Sequence, residues 1–363
     1  MKITAAVARE TGAPLTLEEL ELAELQPDEV RVRLVATGIC HTDSTALDAA
    51  YPIEWPAVLG HEGSGVVEAT GAAVTSVVAG DHVVLAPASC GVCKQCRRGE
   101  MAYCEHYIEI NLSGRRTALS DHDGASVASH FFGQSSFSTH ANVLERCVVK
   151  VDPEAPLEML APLGCGLQTG AGAVLNELRP QAGSSLAVIG TGAVGSAAIM
   201  AARIAGCTTV IAVDLHDSRL ELARELGASH TINSGQADMA EELARITGGD
   251  GVDSIVDTTS VPTVLRDAAQ ALAFRGTLIA VGNTTFGTEA PFEIGQSQVK
   301  GWTFTMNVQG SSVYQEFIPQ LIELWKQGRF PFEKLVRTYP FAQISQGFQD
   351  SADGTTIKPV LIF

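Results

Sequence analysis

The sequence predicts a two-domain α/β protein, in which an irregular antiparallel β-barrel is joined to a doubly wound parallel sheet. At 363 residues the chain is longer than one hydrophobic core usually serves. Up to about residue 150, glycine-rich turns punctuate short β-type runs, as is typical of an irregular barrel. From about 167 to 305, strand-like apolar runs alternate with helical patterns, which indicates right-handed βαβ units.

Individual runs support this division in chain order. The strand-like runs are 30–35, 65–68, 186–189, 210–213, 254–257, 277–281 and 358–363. The helical patterns are 220–226, 239–246 and 317–327. We therefore predict a barrel domain at 1–166, a parallel-sheet domain at 167–306 and a return of the chain to the first domain at 307–363.

Composition and charge argue against several classes of function. The chain has 24 basic and 41 acidic side chains, a net charge of −17, which argues against a nucleic-acid or anionic-membrane partner. Residues 1–7 have the pattern of a first strand, whereas a secretory signal has a longer apolar run. The uncharged stretch 184–202 is interrupted by glycines, so a buried strand and helix explain it better than a membrane span. We expect a soluble cytoplasmic protein.

Four cysteines, Cys90, Cys93, Cys96 and Cys104, lie within fifteen residues. Four thiolates at this spacing can close a tetrahedral zinc site that has no open position for chemistry. The polar stretch 97–103 has too little apolar surface to order itself, and a bound metal would supply folding energy. A disulfide-stapled loop or unrelated thiols are the alternative, but no other feature of the chain indicates an oxidising compartment. The segment 90–104 is therefore predicted to be a structural zinc lobe.

A glycine-rich motif, Gly190-Thr191-Gly192-Ala193-Val194-Gly195, follows an apolar strand and opens a helix. In that context the glycines allow a tight turn, and the helix N-terminus faces a pyrophosphate. Asp214 ends the next strand, where a carboxylate can bind a ribose diol and repel a 2′-phosphate, so NAD is favoured over NADP. Arg219 could hold the ribose edge of either cofactor. The alternative is a glycine-rich turn with Asp214 as a helix cap.

Three further residues, Cys40, His61 and Cys165, lie far apart and are unremarkable singly. Together with the run Gly60-His61-Glu62-Gly63-Ser64-Gly65, the four-cysteine lobe and the glycine motif, they make the chain resemble the zinc-dependent medium-chain alcohol dehydrogenases over its whole length. The resemblance implies a GroES-like barrel that carries the catalytic zinc and a Rossmann domain that carries the cofactor.

The resemblance implies that Cys40, His61 and Cys165 hold a catalytic zinc whose fourth position is open. Such a zinc binds an alcohol and lowers its pKa, and hydride passes to the nicotinamide of NAD. By position, Asp43 would orient the histidine ligand and Glu62 would be the acidic neighbour behind the zinc. Thr42 matches the hydroxyl that takes the proton of the alcohol.

Further cofactor contacts also follow from the resemblance. His41 and Lys358 match positions that approach the pyrophosphate, although ordinary surface or packing roles are the alternative for both. Thr169 and Val281 match other cofactor-binding positions. The chain departs from the best-known members at Thr45, where they have a histidine that ends the proton relay, because threonine is no base near neutral pH. A water, or His41 through the ribose, could substitute.

The segments 130–137 and 163–172 look most like those of bacterial aryl-alcohol (benzyl-alcohol) dehydrogenases, whose relatives act on allylic terpene alcohols such as geraniol. Both substrate groups carry a primary CH₂OH beside a π-system. Ala86 occupies a position that is often aromatic in members using ethanol, which should widen the pocket. Plain core packing is the alternative for the paired phenylalanines. The candidate pocket residues are Tyr51, Ala86, Phe131, Phe132 and Asn283.

Other functions fit the sequence less well. Polyol dehydrogenases commonly have glutamate where this chain has Cys165, and zinc-free quinone reductases lack both cysteine sets. A thiol-linked formaldehyde dehydrogenase and a non-enzymatic zinc-binding or crystallin-like protein are further alternatives. The resemblance implies a homo-oligomer, a tetramer or a dimer, formed around 290–308. Cys147 and Cys207 receive no functional role, and packing is expected for Cys207.

Overall fold

The computed structural model describes residues 1–48, 50–113 and 118–363, which form two compact units. Residues 307–312 and 323–332 group with the second unit, so the chain passes between the units more than once. No helix within the described ranges is both long and apolar enough to cross a membrane. The first unit comprises Met1–Cys165, Val313–Ile322 and Glu333–Phe363, and the second comprises Gly166–Ser312 and Glu323–Phe332.

Short strands predominate before residue 150, and the longest helices follow it. The strands are β1 (Lys2–Ala8), β2 (Thr16–Leu22), β3 (Glu29–Gly38), β4 (Ala57–Val58), β5 (Gly63–Thr70), β6 (His82–Leu85), β7 (Leu119–Ser120), β8 (Ser126–Val127), β9 (His140–Leu144), β10 (Val148–Lys150), β11 (Ser185–Ile189), β12 (Thr209–Asp214), β13 (His230–Asn233), β14 (Val252–Asp257), β15 (Leu272–Ala280), β16 (Thr303–Met306), β17 (Val336–Pro340) and β18 (Lys358–Ile362). The α-helices are α1 (His41–Leu47), α2 (Tyr107–Leu112), α3 (Leu157–Leu160), α4 (Gly166–Gly172), α5 (Ala193–Ala205), α6 (Asp217–Leu226), α7 (Met239–Ile246), α8 (Pro262–Gln270), α9 (Ile294–Lys300), α10 (Tyr314–Lys326) and α11 (Ile344–Ala352). A π-helix, Ala173–Leu178, continues α4, and the 3₁₀ turns are Cys96–Arg98, Met101–Tyr103, Phe131–Gly133, Glu145–Cys147, Ala161–Gly164, Gln309–Ser311, Phe332–Leu335 and Phe341–Gln343.

The first unit contains two largely antiparallel sheets. One has the strand order β4-β1-β2-β7-β8, and the other has the order β10-β6-β5-β3-β18-β17, with β9 also paired to β3. Inward-facing residues of β3 alternate along the strand, as the period of two requires, and Val30, Val32 and Leu34 pack into one apolar core. Most of the strand pairs are antiparallel, as the glycine-rich pattern before residue 150 predicts.

Strand β3 determines where the site of the first unit forms. Its last residues pair with the start of β5, Thr37 opposite Gly63, and with β18, Val360 opposite Gly38. The N–H of Gly38 also donates to the carbonyl of Glu62 at 2.9 Å. The segments that follow β3, precede β5 and begin β18 therefore emerge side by side, although they are far apart in sequence.

The second unit contains a parallel sheet with the order β13-β12-β11-β14-β15-β16. Its central strands are almost fully buried, which explains their continuous apolar runs. The strand order reverses between β11 and β14, the point where ligands bind in open α/β sheets. The mixed fold class predicted from the sequence, an antiparallel barrel region and a parallel sheet, is confirmed.

Candidate catalytic metal site and dinucleotide loop

The structure brings four predicted residues of the first unit together. Cys40, His61, Glu62 and Cys165 each direct one donor atom to a common point, and these atoms lie within 4.8 Å of one another. Cys40 follows β3, His61 and Glu62 precede β5, and Cys165 follows the 3₁₀ turn after α3. The pairing of β3 with β5 therefore creates this donor set.

His61 has the environment of a metal ligand. Its side chain is fully buried, and its Nδ1 lies 2.9 Å from Asp43 Oδ1. Its Nε2 forms no hydrogen bond with any described residue. A buried ring nitrogen without a partner costs about 1–3 kcal/mol unless something binds it, and a metal would do so. The donor set of two sulfurs and one imidazole nitrogen is one that zinc prefers.

Asp43 connects two of the ligand-bearing loops. One carboxylate oxygen accepts from the backbone N–H of Cys40 at 3.0 Å. The other accepts from the N–H of Gly60 at 3.2 Å and faces the His61 ring. Burial of His61 opposes its charged form, but the Asp43 carboxylate and Cys40 together outweigh burial and raise the pKa of His61. A metal binds the neutral imidazole, so protonation of His61 competes with metal binding.

Glu62 and Lys358 form a buried ion pair beside the donor set. The Lys358 ammonium lies 2.9 Å from both carboxylate oxygens and donates to the carbonyl of Ile39 at 3.1 Å. Burial disfavours the ammonium, but the Glu62 carboxylate together with the sulfurs of Cys40 and Cys165 outweighs burial and raises the pKa of Lys358. Glu62, expected behind the zinc, has one oxygen within 4.8 Å of the donor atoms of Cys40, His61 and Cys165 while both of its oxygens are bound by Lys358. Lys358 is directed at Glu62, so its contact with a pyrophosphate stays a prediction.

Two aromatic rings pack directly against His61. Phe132 stacks on the imidazole with ring centroids 4.6 Å apart, and Phe131 meets it edge-on at 5.6 Å. Tyr107, which the sequence did not indicate, lies edge-on to Phe132 at 6.2 Å. Ala86 is fully buried. The phenylalanines thus belong to the core, as the alternative interpretation held, and also lie beside a predicted metal ligand.

Gln134 is a residue of this site that sequence reasoning missed. Its side-chain oxygen accepts from the N–H of Gly63 at 3.0 Å, and its amide nitrogen donates to the carbonyl of His61 at 2.9 Å. The neighbouring backbone is strained, because Phe132 and Ser135 have φ of 51° and 47°. The Ser135 hydroxyl supports this conformation by donating to Val58 at 2.6 Å. Gln134 lies within the segment 130–137, whose resemblance to aryl-alcohol dehydrogenases is the sequence signal that could have identified this residue.

The four cysteines of the lobe converge on a second point, with their sulfurs within 4.8 Å of one another. Backbone N–H groups of Cys93 and Cys96 donate to the sulfurs of Cys90 and Cys93 at 3.3 and 3.5 Å. The N–H of Cys96 is the main cause that lowers the pKa of Cys93 to about 6, which favours a thiolate ligand. All eight cysteines are free, so the disulfide alternative is wrong.

Both remaining cysteines are buried. Cys147 is fully enclosed, and its sulfur lies 3.7 Å from the carbonyl of Gly133. Cys207 lies beside the hydroxyl of Ser184 at 3.8 Å. These environments are those of packing residues.

The glycine motif of the second unit has the geometry of a phosphate-binding turn. Gly190 has φ of 83°, and a Cβ atom there would lie 2.3 Å from the Thr258 hydroxyl. A Cβ at Gly195 would lie 1.9 Å from the carbonyl of Gly190. At Gly192 a Cβ would meet nothing within 4 Å, so this backbone borders open space at the start of α5. An anion could approach the helix N-terminus there.

Asp214 is anchored to the same motif. Its carboxylate accepts from the N–H and the hydroxyl of Thr191 at 2.7 and 2.8 Å, and from the N–H groups of Leu215 and His216. Burial raises the pKa of Asp214, but the hydrogen bonds from Thr191 and His216, with the charge of Arg219, outweigh burial and hold that pKa below its usual range. Arg219 lies 4.0 Å away. Thr191, a variable position of the motif, was not predicted to contribute.

Comparison with known proteins identifies the family. Residues 26–153 match the family described as alcohol dehydrogenase GroES-like domain, and residues 193–327 match the family described as zinc-binding dehydrogenase. Geraniol dehydrogenase of Castellaniella defragrans is 39% identical over 364 residues, 99% of this chain and 97% of the relative. The chain belongs to the zinc-dependent alcohol dehydrogenase family.

Solved alcohol dehydrogenases have the same fold throughout. An alcohol dehydrogenase zinc-binding domain protein from Burkholderia ambifaria is 51% identical with a TM-score of 0.98, covering 100% of this chain and 99% of that one. Benzyl alcohol dehydrogenase from Acinetobacter calcoaceticus is 43% identical with a TM-score of 0.95 and the same coverage. The resemblance stated from the sequence is confirmed, zinc included as the family's metal.

The other predicted residues of this alcohol dehydrogenase lie as follows. His41 and Thr42 begin α1, with His41 exposed and Thr42 half-buried. The Thr45 hydroxyl donates to the carbonyl of His41 at 2.9 Å, so its hydrogen is used within the helix. Tyr51 packs partly buried against the core that contains Phe131 and Phe132. The predicted residues of the second unit include Thr169 in α4, buried; Ala193 and Val194 in α5, half-buried; Val281 after β15, half-buried; and Asn283, exposed.

Proposed function

We propose that this alcohol dehydrogenase oxidises primary aromatic alcohols of the benzyl type to aldehydes, reversibly, with NAD as the hydride acceptor. Cys40, His61 and Cys165 are the residues that would hold the catalytic zinc. When bound, zinc supplies a Lewis acid that lowers the pKa of an alcohol. Asp43 fixes the orientation of His61, and the Phe131 and Phe132 rings pack against the buried imidazole, one edge-on and one stacked.

The proton path in this proposal begins at Thr42. Its hydroxyl would take up the proton of the alcohol while releasing its own toward the ribose of a bound cofactor, and His41, exposed at the start of α1, would deliver a proton from there to solvent. Thr45 is a poor end for the relay, because its hydroxyl donates to the His41 carbonyl and threonine is no base at neutral pH.

The cofactor specificity rests on Asp214. A carboxylate held ionised by Thr191 can accept hydrogen bonds from a ribose diol, and it would repel a 2′-phosphate. Gly190, Gly192 and Gly195 would let a pyrophosphate approach the backbone at the start of α5. These features support NAD over NADP.

The observation that carries the aryl assignment is the aromatic wall on His61. Phe132 and Phe131 place two aromatic rings, one stacked and one edge-on, with centroids 4.6 and 5.6 Å from that of a predicted ligand, and an aromatic substrate ring could pack beside them. Ala86, a buried residue of the same unit, has a small side chain and would leave more room for a substrate than an aromatic residue at that position. The 43% identity to a benzyl alcohol dehydrogenase agrees with this substrate class.

A geraniol-type allylic alcohol is the second candidate, and it is favoured by the 39% identity to a geraniol dehydrogenase. Both candidates share a primary CH₂OH beside a π-system. We also propose a cytoplasmic homo-oligomer, a tetramer or dimer, formed through residues 290–308. In that segment Ile294 and Val299 have 80% and 78% of their surface exposed, large apolar areas for a monomer.

The test is NADH formation at 340 nm with benzyl alcohol, geraniol, ethanol and 2-propanol compared under NAD⁺, and with NADP⁺ in parallel. We expect kcat/KM for benzyl alcohol to be the highest and to disappear after treatment with a chelator. A preference for geraniol would select the second candidate. A preference for ethanol or 2-propanol would leave the mechanism standing and contradict the aryl assignment.

A further inference from the structure

The Lys358 ammonium uses all of its hydrogen-bond donors within the candidate metal site. An ammonium has three donors, and in this site they go to both oxygens of Glu62 and to the carbonyl of Ile39. Only 3% of the side chain is exposed. The residue begins β18, whose pairing with β3 sets the ammonium beside the residues that precede Cys40. Its position is thus fixed by the sheet.

Glu62 is close enough to the metal donors to be a ligand itself. One of its carboxylate oxygens lies within 4.8 Å of the donor atoms of Cys40, His61 and Cys165. The carboxylate reaches this point because residue 38 is glycine, where a Cβ would lie 2.0 Å from Oε2. Zinc accepts carboxylate oxygen readily, and a fourth protein ligand turns an open catalytic site into a closed structural one.

The charges explain why the carboxylate needs a restraint. Two thiolates balance Zn²⁺, which leaves the charge of Glu62 to be matched by the ammonium of Lys358. A buried carboxylate that loses its cation is strongly destabilised. A bound metal, which is a cation beside it, would then attract this carboxylate.

We propose that Lys358 is a positioning residue that holds Glu62 off the metal and so keeps the fourth metal position open for the alcohol. This inference rests on the proposed function in one respect, that Cys40, His61 and Cys165 hold the metal. It assigns Lys358 a role in the metal site that is independent of any contact with the cofactor.

The test uses the full-length enzyme with Co²⁺ in the catalytic site and imidazole as the probe, without cofactor. Imidazole is a neutral metal ligand, so its affinity reports on the open position and little on the charge of residue 358. We expect Lys358→Met to weaken imidazole binding at least tenfold, followed through the visible d–d bands of Co²⁺. Lys358→Arg keeps the cation and should bind imidazole within about threefold of the wild type.

The decisive variant is the double substitution Glu62→Gln with Lys358→Met. An amide competes poorly for the metal, so the double variant should regain wild-type imidazole affinity. If Lys358 served only the fold, the double variant would stay as weak as Lys358→Met, which would overturn the proposal. Unchanged affinity in Lys358→Met would overturn it as well. Lys358→Gln repeats the test with a milder change if the methionine variant does not fold.

The same data separate this inference from the proposed function. A wild-type Co²⁺ enzyme without thiolate-type d–d bands would contradict the ligand set of Cys40, His61 and Cys165. If the wild-type enzyme shows these bands and oxidises alcohols, but Lys358→Met binds imidazole with unchanged affinity, only the role proposed for Lys358 is contradicted.

Discussion

Asp43 shows how much one buried side chain can organise. Its two oxygens bind the backbone of Cys40, the backbone of Gly60 and the ring of His61. Hydrogen bonds to a charged group are worth about 1.5–3 kcal/mol each, so this carboxylate holds both loops in place. The contact with Asp43 also selects the neutral imidazole tautomer that carries its hydrogen on Nδ1, and this tautomer leaves Nε2 available to a metal.

His41 is the residue whose role is tested most directly by substitution. We expect His41→Gln to lower kcat/KM about tenfold at neutral pH and to move the acidic limb of the pH profile, because glutamine cannot take up a proton. The matched control is Thr45→Val, which removes a hydroxyl that already donates to the His41 carbonyl. It should leave the profile unchanged.

The measurement is the pH dependence of kcat/KM for benzyl alcohol between pH 6 and 10. An unaltered profile in His41→Gln would exclude His41 as the exit of the proton relay. A shift in Thr45→Val instead would assign the exit to a water held at that hydroxyl.

The resemblance to a known family selected Cys40, His61 and Cys165 as candidate metal ligands, and the structure places their donor atoms within 4.8 Å of one another. Cysteine and histidine side chains are the ligands that zinc prefers, and their surrounding motifs are specific. The partner of Lys358 and the contacts of Gln134 were not predictable in this way. They depend on the register of β18 against β3 and on left-handed backbone near Phe132, and neither property has a local sequence signal.

At the scale of elements, the glycine motif and Asp214 lie at the ends of two neighbouring strands and are linked by hydrogen bonds. The turn after β11 carries Thr191, the end of β12 carries Asp214, and the two side chains bond directly. The sequence indicated that the motif follows one strand and that Asp214 ends the next, and the parallel pairing of β11 with β12 sets these two ends side by side. The sequence did not predict the threonine, because the position between the first two glycines is variable in the motif.

We expect Thr191→Val to weaken NAD⁺ binding several-fold and to lower the melting temperature at pH 7. Valine removes the hydroxyl at 2.8 Å from Asp214, a bond worth about 1.5–3 kcal/mol because the acceptor is charged. Thr191→Ser keeps the hydroxyl and should behave like the wild type. Calorimetric titration with NAD⁺ and thermal unfolding measure both effects.

The pH dependence of this effect has a defined sign. The pKa of Asp214 is depressed in the folded chain, so its stabilisation is present above the unfolded pKa of about 4 and is lost as pH falls through the folded pKa. The difference in melting temperature between Thr191→Val and the wild type should therefore shrink toward pH 3. A difference that stays constant would show that the hydroxyl acts through packing and not through the ionised carboxylate.

At the scale of the whole molecule, metal chemistry and cofactor chemistry belong to different units. Both cysteine sets lie in the first unit, and the glycine motif with Asp214 lies in the second. Continuous apolar runs that alternate with helical patterns predicted the parallel sheet, and its central strands have such runs because they are buried on both faces. The passage of residues 323–332 into the second unit was not foreseen, because a short segment after a helix has no distinctive periodicity.

The two metal sites of the first unit should differ in what their loss does to the molecule. The lobe at 90–104 has little regular structure beyond two 3₁₀ turns, so we expect its order to depend on a bound metal. Structural zinc binding is worth about 10–16 kcal/mol in small domains. Cys40 and His61 lie at the ends of the paired strands β3 and β5, and Cys165 ends the 3₁₀ turn Ala161–Gly164, so regular structure positions all three. Stability should therefore depend on the lobe and activity on the set of Cys40, His61 and Cys165.

We expect two zinc ions per wild-type chain by elemental analysis. Cys96→Ser should retain one zinc and unfold at a markedly lower temperature, whereas Cys40→Ser should retain one zinc, unfold close to the wild type and lose alcohol oxidation. Cys207→Ser is the matched control, because Cys207 is buried outside both sets and should change neither zinc content nor activity. One zinc in the wild type, or an active Cys40→Ser variant, would contradict this division between a stabilising metal and a reacting one.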